Sequence, residues 1–224
     1  MTSRPLGTLP HPSSDQRRSR NGRAALVLAT AVLALVAGCS FTRPPVVKDT
    51  YLLDPANPPV AAKAHPGSLR VGVVTVGAPF RGRNFVVRDS ELKYESDFYR
   101  EFFVPPGVML ADDTARALRV AQVFARVTRP GTSLDADWLL DGFAGALYAD
   151  VRDPAKPSAV IQVTYYLSRD DGGATAPVWT KGYRKSAPYT SNGKDAYVDA
   201  LNTAFAEILA ELASDLAAVE LPKE

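Results

Sequence analysis

Cysteine occurs once in the 224 residues and histidine twice, and these positions decide what chemistry the chain can do. Cys39 has no partner for an internal disulfide, while His11 and His65 are too few for a Cys-His or Ser-His centre or a histidine-rich zinc site. Cys39 nevertheless stands where a thiol has a use. It closes Leu35-Val36-Ala37-Gly38-Cys39, a bacterial lipobox pattern, directly after an uncharged run of 14 residues, Ala24 to Ala37. As a helix that run spans about 21 Å, short of the roughly 30 Å hydrocarbon core, so it reads as the apolar region of an export signal. Arg17, Arg18, Arg20 and Arg23 supply its basic flank. A core helix would need an amphipathic face, which the run lacks. Small residues before the cysteine let a peptidase reach the backbone. The thiol then becomes a thioether to diacylglycerol and the freed amine is acylated, and two or more chains, at about 0.8 kcal/mol per buried CH₂, hold a protein firmly. Lipidation of Cys39 is the one covalent chemistry the sequence predicts.

Other residues of the right type are weaker candidates. Gly77-Ala78-Pro79-Phe80-Arg81-Gly82-Arg83-Asn84 has the glycine spacing of a phosphate loop, but it carries Arg83 and Asn84 where Lys and Ser/Thr belong, and a strand follows it. It is read as a turn. Arg81, Arg83 and Arg88 would suit anionic headgroups, though a solvated edge explains them as well. The carboxylate pairs Asp112-Asp113 and Asp170-Asp171 fit a helix N-terminus and a hairpin turn better than a hydrolase pair facing across a cleft. Glu207, Glu211 and Asp215 form an acidic row at i, i+4 and i+8, a solvated face or a dock for a basic partner. Trp138, Trp179, Tyr165, Tyr166 and Tyr183 fall on expected strands, and His65 sits beside Pro66 in an expected loop. No catalytic residues, cofactor or metal site is expected.

The elements that position these residues follow from periodicity. Residues 1–38 form the signal peptide and 39–50 a Pro-rich lipidated tether. Its eleven residues Ser40 to Thr50 reach at most about 35 Å. Cleavage removes five Arg and one Asp from 26 basic and 24 acidic side chains, so the remaining 186 residues carry 21 and 23, a formal −2. That leaves no basic patch for nucleic acid. Within 51–224, strands are expected at Tyr51 to Leu53 and Leu69 to Val76, with a hairpin from Phe85–Arg88 to Glu91–Glu95. A helix should follow Val104-Pro105-Pro106-Gly107, with Asp112 and Asp113 in its first turn, a stripe of Val120, Val123, Phe124 and Val127, and Pro130-Gly131 as its stop. Trp138–Val151, Val160–Leu167 and Val178–Ser186 read as a three-strand meander turning at Asp170-Asp171-Gly172-Gly173. A final helix capped by Asp195 carries Val198, Leu201, Phe205, Ile208, Leu212, Leu216 and Val219 on one stripe. Runs of strands with two helices predict a single α+β domain, a mixed or antiparallel sheet with two main helices packed on it.

The ordered set of motifs resembles the ABC-type transport auxiliary lipoprotein family over the whole mature chain. Carrying it are Cys39, Tyr51-Leu52-Leu53-Asp54-Pro55, Leu69-Arg70-Val71 through Val76 to Ala78-Pro79, Phe85-Val86-Val87-Arg88, Leu92-Lys93-Tyr94, Asp97 to Phe102, and Pro105-Pro106-Gly107. Phe102-Phe103 departs from it, standing where many members have a tryptophan before the proline. The resemblance implies a non-enzymatic periplasmic lipoprotein on the outer membrane, consistent with Ser40 rather than Asp after the cysteine. Its implied partners are an ABC permease and ATPase and an MCE-type substrate-binding protein that together move lipids between membranes. A homo-oligomeric ring is compatible with such a system. Two other classes stay open, an activator or organiser of cell-wall synthases and a carboxylate hydrolase.

Overall fold

The computed structural model describes residues 47–222 except 172–175, 191–192 and 194. The expected signal peptide, Cys39, most of the tether and Gly172-Gly173 of the expected turn lie outside the described residues. Eight strands and two helices follow one another as β1 Asp49–Tyr51, β2 His65–Val76, β3 Asn84–Arg88, β4 Tyr94–Phe102, α1 Pro106–Ala121, β5 Phe124–Thr128, β6 Trp138–Asp150, β7 Ser158–Arg169, β8 Trp179–Pro188 and α2 Ala196–Ala218. The architecture is the expected single α+β domain with a mixed sheet.

The sheet is organised around β6. On one side it pairs antiparallel with β7 from Trp138↔Arg169 to Asp150↔Ser158, and β7 pairs antiparallel with β8. Its other side is shared by two parallel neighbours, β2 over Leu69↔Trp138 to Val76↔Ala144 and β3 at Val87↔Ala149 and Arg88↔Asp150. Beyond β2 lies β5, parallel to it, and beyond β3 lie β4 and then β1. Both helices cover one face. Alternate β7 residues Ala159, Ile161, Val163, Tyr165 and Leu167 are fully buried there, whereas Gln162, Thr164, Tyr166 and Ser168 point to the other face and are half-buried. The expected stripe of α2 supplies the matching layer, with Leu201, Phe205, Ile208, Leu212 and Leu216 fully buried. α2 is thus a helix packed on a sheet rather than half of a coiled coil.

Several expectations shift. α1 begins at Pro106, so Asp112 and Asp113 lie beyond its first turn, where no acidic residue stands. It ends at Ala121, because Gln122 adopts a left-handed φ of 55° and satisfies the last carbonyls with its N–H. Val123 therefore stands just before a parallel strand and Phe124 and Val127 within it, not on a helical stripe. The hairpin's second arm starts at Tyr94 and runs to Phe102, leaving Leu92 in the turn at 92% exposure. Asp195 stands at the N-cap of α2 without a capping bond, its carboxylate held by the Tyr51 hydroxyl instead. His65 opens β2 rather than sitting in a loop.

Candidate functional site

The structure disperses most of the charged residues that the sequence groups together. The Gly77–Asn84 loop is a connection that lets β2 and β3 run along the same side of β6. Gly77 N–H donates to Ala144 O at 2.9 Å, Ala78–Phe80 make one 3-10 turn, and Phe80 is buried against Tyr148 at 5.8 Å between ring centroids. Strand β3 follows directly, so the loop does not open a helix as a phosphate loop does. Its arginines go three ways. Arg81 reaches Val76 O, Arg83 donates to Phe102 O at 2.9 Å and pairs with Glu101, and Arg88 donates to Glu91 O at 2.8 Å.

Carboxylates are spent on fastening. Asp113 is buried and holds Arg116 at 2.8 Å, and Arg116 reaches on to Asp54 at 3.2 Å, Asn57 Oδ1 at 3.0 Å and Pro55 O at 3.1 Å, tying the segment after β1 to α1. Burial pushes the Asp113 carboxyl above its usual range, and Arg116 offsets this only in part. Asp112 points outward, so the pair does not face itself across a cleft. Asp170 pairs with Arg70. In the acidic row, Asp215 accepts from Lys181 Nζ at 2.7 Å and Tyr183 OH at 2.6 Å, and Glu211 pairs with Lys185. The basic partner of that row is β8 of the same chain. Burial and then Asp215 drive the Tyr183 hydroxyl far above its ordinary pKa.

The aromatic candidates are structural. Tyr165 is buried and bonds Thr114 Oγ1 at 2.8 Å, Trp138 lies under the Arg169 guanidinium at 4.5 Å, and His65 is buried with Nε2 2.8 Å from Leu216 O. Tyr166 and Trp179 are half-buried opposite Thr180 and Leu167 on paired strands. Among the described residues no group of three or more His, Cys, Asp or Glu side chains is placed to hold a metal ion, and no helix is long and apolar enough to cross a membrane.

What remains for a partner is surface. One feature is an apolar groove of about 370 Å³ between β2 and the start of α1. β5 stops opposite Arg70, so among the described residues β2 has no strand neighbour on that side from Val71 to Val76. The start of α1 takes the place, with Val73 and Val108 exposed beside Val74, Val76 and Ala111 and with Arg81 and Asp112 at the rim. Gly107 permits this approach, since a Cβ there would run into the Val74 carbonyl oxygen. A second pocket, of about 650 Å³, lies on the sheet face away from the helices, between Arg88, Tyr94, Tyr148, Gln162 and Arg184. There Arg184 donates to Gln162 Oε1 at 2.8 Å and Tyr148 OH at 2.9 Å. A third feature is a row of exposed aromatics on β4 and just after it, Phe98 at 58%, Tyr99 at 62% and Phe103 at 59%. Reasoning from the sequence did not single these out as a site, because they show neither strict alternation nor helical spacing. The signal present was three aromatics among charges in a strand long enough to reach a sheet edge.

No protein-family model and no curated protein matches the sequence. Solved structures do resemble it. A crystal structure of a Xanthomonas campestris protein described by the family model DUF330 superposes with a TM-score of 0.67 at 18% identity, covering 76% of this chain and 95% of that one. A crystal structure of an uncharacterized protein gives 0.55 at 17% identity, covering 75% and 97%. The PelC dodecamer from Paraburkholderia phytofirmans gives 0.37 at 16% identity over 71% and 94%, too loose an alignment to carry an inference. At these identities what is shared is the fold, and it is the two-layer α+β domain of the DUF330-type protein.

Proposed function

We propose that this chain is a lipid-anchored periplasmic lipoprotein that serves, without catalysis of its own, as an auxiliary component of an ABC-type, MCE-associated system moving lipids between membranes. The observation that carries the reading is Cys39 at the end of a lipobox and a 14-residue apolar run, only ten residues before the start of β1 at Asp49. A domain joined so closely to its lipid works beside a membrane. The DUF330-type fold supports the reading, as does the motif order from Tyr51-Leu52-Leu53 to Pro105-Pro106-Gly107. Outer-membrane placement rests on Ser40 after the cysteine.

The test is metabolic labelling with palmitate of cells producing the wild type or Cys39→Ala, followed by purification of whatever the labelled protein binds. The wild type takes up label and brings down an ATPase, a permease and an MCE-type protein, and Cys39→Ala loses both label and membrane fraction. Recovery of peptidoglycan synthases with no ABC component would replace this reading with that of a cell-wall synthase organiser. A labelled fraction unchanged in Cys39→Ala would remove the anchor.

A further inference from the structure

The exposed aromatics of β4 stand where the chain enters the folded domain. β1 pairs parallel with β4 at Asp49↔Arg100, Thr50↔Glu101 and Tyr51↔Phe102, so the residues just before β1 lie next to Phe98 and Tyr99. Lys48 confirms the neighbourhood, its Nζ lying 5.4 Å from the Phe98 ring centroid. Phe98 and Tyr99 pack on each other edge to face at 5.3 Å, and over half of each stays exposed. Their positions are held. Asp97 accepts the N–H groups of Tyr99 at 2.8 Å and Arg100 at 3.0 Å, and Asn84 Nδ2 donates to Asp97 O at 2.7 Å. Rigid aromatics left in solvent are costly unless something apolar meets them.

We propose that the Phe98–Tyr99 pair is a second membrane contact, lying at headgroup depth in the bilayer that holds the Cys39 lipid. This rests on the anchored reading above. Seven residues separate Cys39 from Val47, so even fully extended chain places the domain's entry point within about 28 Å of the lipidated residue. At the end of so short a link, tyrosine brings the amphipathic ring of residues that sit at membrane–water interfaces, and phenylalanine adds apolar surface beside it. The adjoining cations are already matched, Lys48 by Glu101 at 3.0 Å and Arg100 by Asp97 at 2.7 Å. The contact is therefore apolar and aromatic rather than electrostatic, and it holds on zwitterionic lipid at high salt. It fixes the orientation of the domain with β1 and β4 toward the membrane. β8, four strands from β4, lies about 19 Å further out.

The experiment uses the full chain, made in cells that process Cys39 and reconstituted into phosphatidylcholine vesicles containing brominated phosphatidylcholine. Phe98→Trp reports depth, Tyr99→Trp repeats the measurement should the first variant fold poorly, and Thr180→Trp on β8 is the distant control. The wild type is subtracted for Trp138 and Trp179. Flotation with the vesicles, together with quenching at least about threefold stronger for Phe98→Trp or Tyr99→Trp than for Thr180→Trp, supports the contact. Flotation with equal or absent quenching at the three positions overturns it and leaves the anchor standing. Failure to float overturns the anchor, and the contact with it.

Discussion

The bond between Thr114 and Tyr165 seats α1 on the sheet, and its geometry predicts an unequal response to two nearly isosteric substitutions. Both side chains are fully buried. Thr114 Oγ1 lies 2.6 Å from Leu110 O and 2.8 Å from Tyr165 OH. A hydroxyl has one proton, the Leu110 carbonyl can only accept, and so the Tyr165 O–H must be the donor to Thr114. Tyr165→Phe removes that donor and leaves Thr114 still bonded to Leu110, a loss of about 1 kcal/mol. Thr114→Val strands a phenol O–H in an apolar interior, which costs about 2–3 kcal/mol. In the double variant nothing is stranded, and the cost returns to about 1 kcal/mol, a coupling of about 2–3 kcal/mol. For a domain of this size Thr114→Val should lower Tm by about 4–12 °C and Tyr165→Phe by about 2–4 °C. Urea unfolding of the four proteins, fitted with a common m-value, should find the double variant more stable than Thr114→Val alone. Additive losses, or a Tyr165→Phe loss as large as that of Thr114→Val, would refute the donor assignment.

Three further outcomes follow from other contacts. Gly107→Ala, normally worth up to about 1 kcal/mol of stabilisation inside a helix, should instead destabilise by about 1–3 kcal/mol, because its Cβ meets the Val74 carbonyl and lies 3.2 Å from Val76 Cγ2; a urea midpoint that rises would sink this. Tyr183 has a folded-state pKa raised above the ordinary 10.0 by burial and by Asp215, so its contribution is complete below about pH 10 and is lost as pH rises further. The stability of Tyr183→Phe, followed by thermal melts in alkaline buffers, should fall less steeply than the wild type's. Asp97 is pushed up by burial but held below its usual range overall by the N–H groups of Tyr99 and Arg100 and by the Arg100 guanidinium. Its contribution is present above the ordinary carboxylate pKa and lost as pH falls through the lowered one, so Asp97→Asn should flatten the acid limb of the same curve.

The fold was legible in sequence where a segment buries one whole face. β7 alternates buried and half-buried from Ile161 to Leu167, and α2 repeats buried residues every three or four positions, so both elements declared their period. The end of α1 was not legible. Val120, Val123, Phe124 and Val127 satisfy helical spacing, yet Val120 is exposed on the helix while the other three are buried around and within β5. The switch is made at Gln122, whose left-handed turn is supported by bonds from its N–H to Leu118 O and Arg119 O, and glutamine gives no local warning of it. Parallel pairing was hidden for another reason. Leu69 meets Trp138 and Val87 meets Ala149 across long stretches of chain, and no turn residue marks such partners.

For the candidate site, the difficulty lies in what a charge pattern means. A row such as Glu207, Glu211 and Asp215 looks the same in sequence whether it meets solvent, a partner protein or the chain's own strand. The answer depends on what the opposite layer presents, and β8 presents Lys181, Tyr183 and Lys185 at alternate positions, spaced to meet α2. Spacing on each element was readable, but their juxtaposition needed the packing of α2 on the sheet. Once Glu211, Asp215, Asp113 and Glu101 are paired within the domain, much of the apparent polar binding character is used up in holding the elements together. The surface left to meet another body is then set by apolar groups that the fold does not cover, Phe98, Tyr99 and Phe103 near the chain's entry and Val73 and Val108 beside α1. A recognition surface of that kind carries no motif, because its signal is the absence of a neighbour, and absence of a neighbour is a property of the fold rather than of any segment.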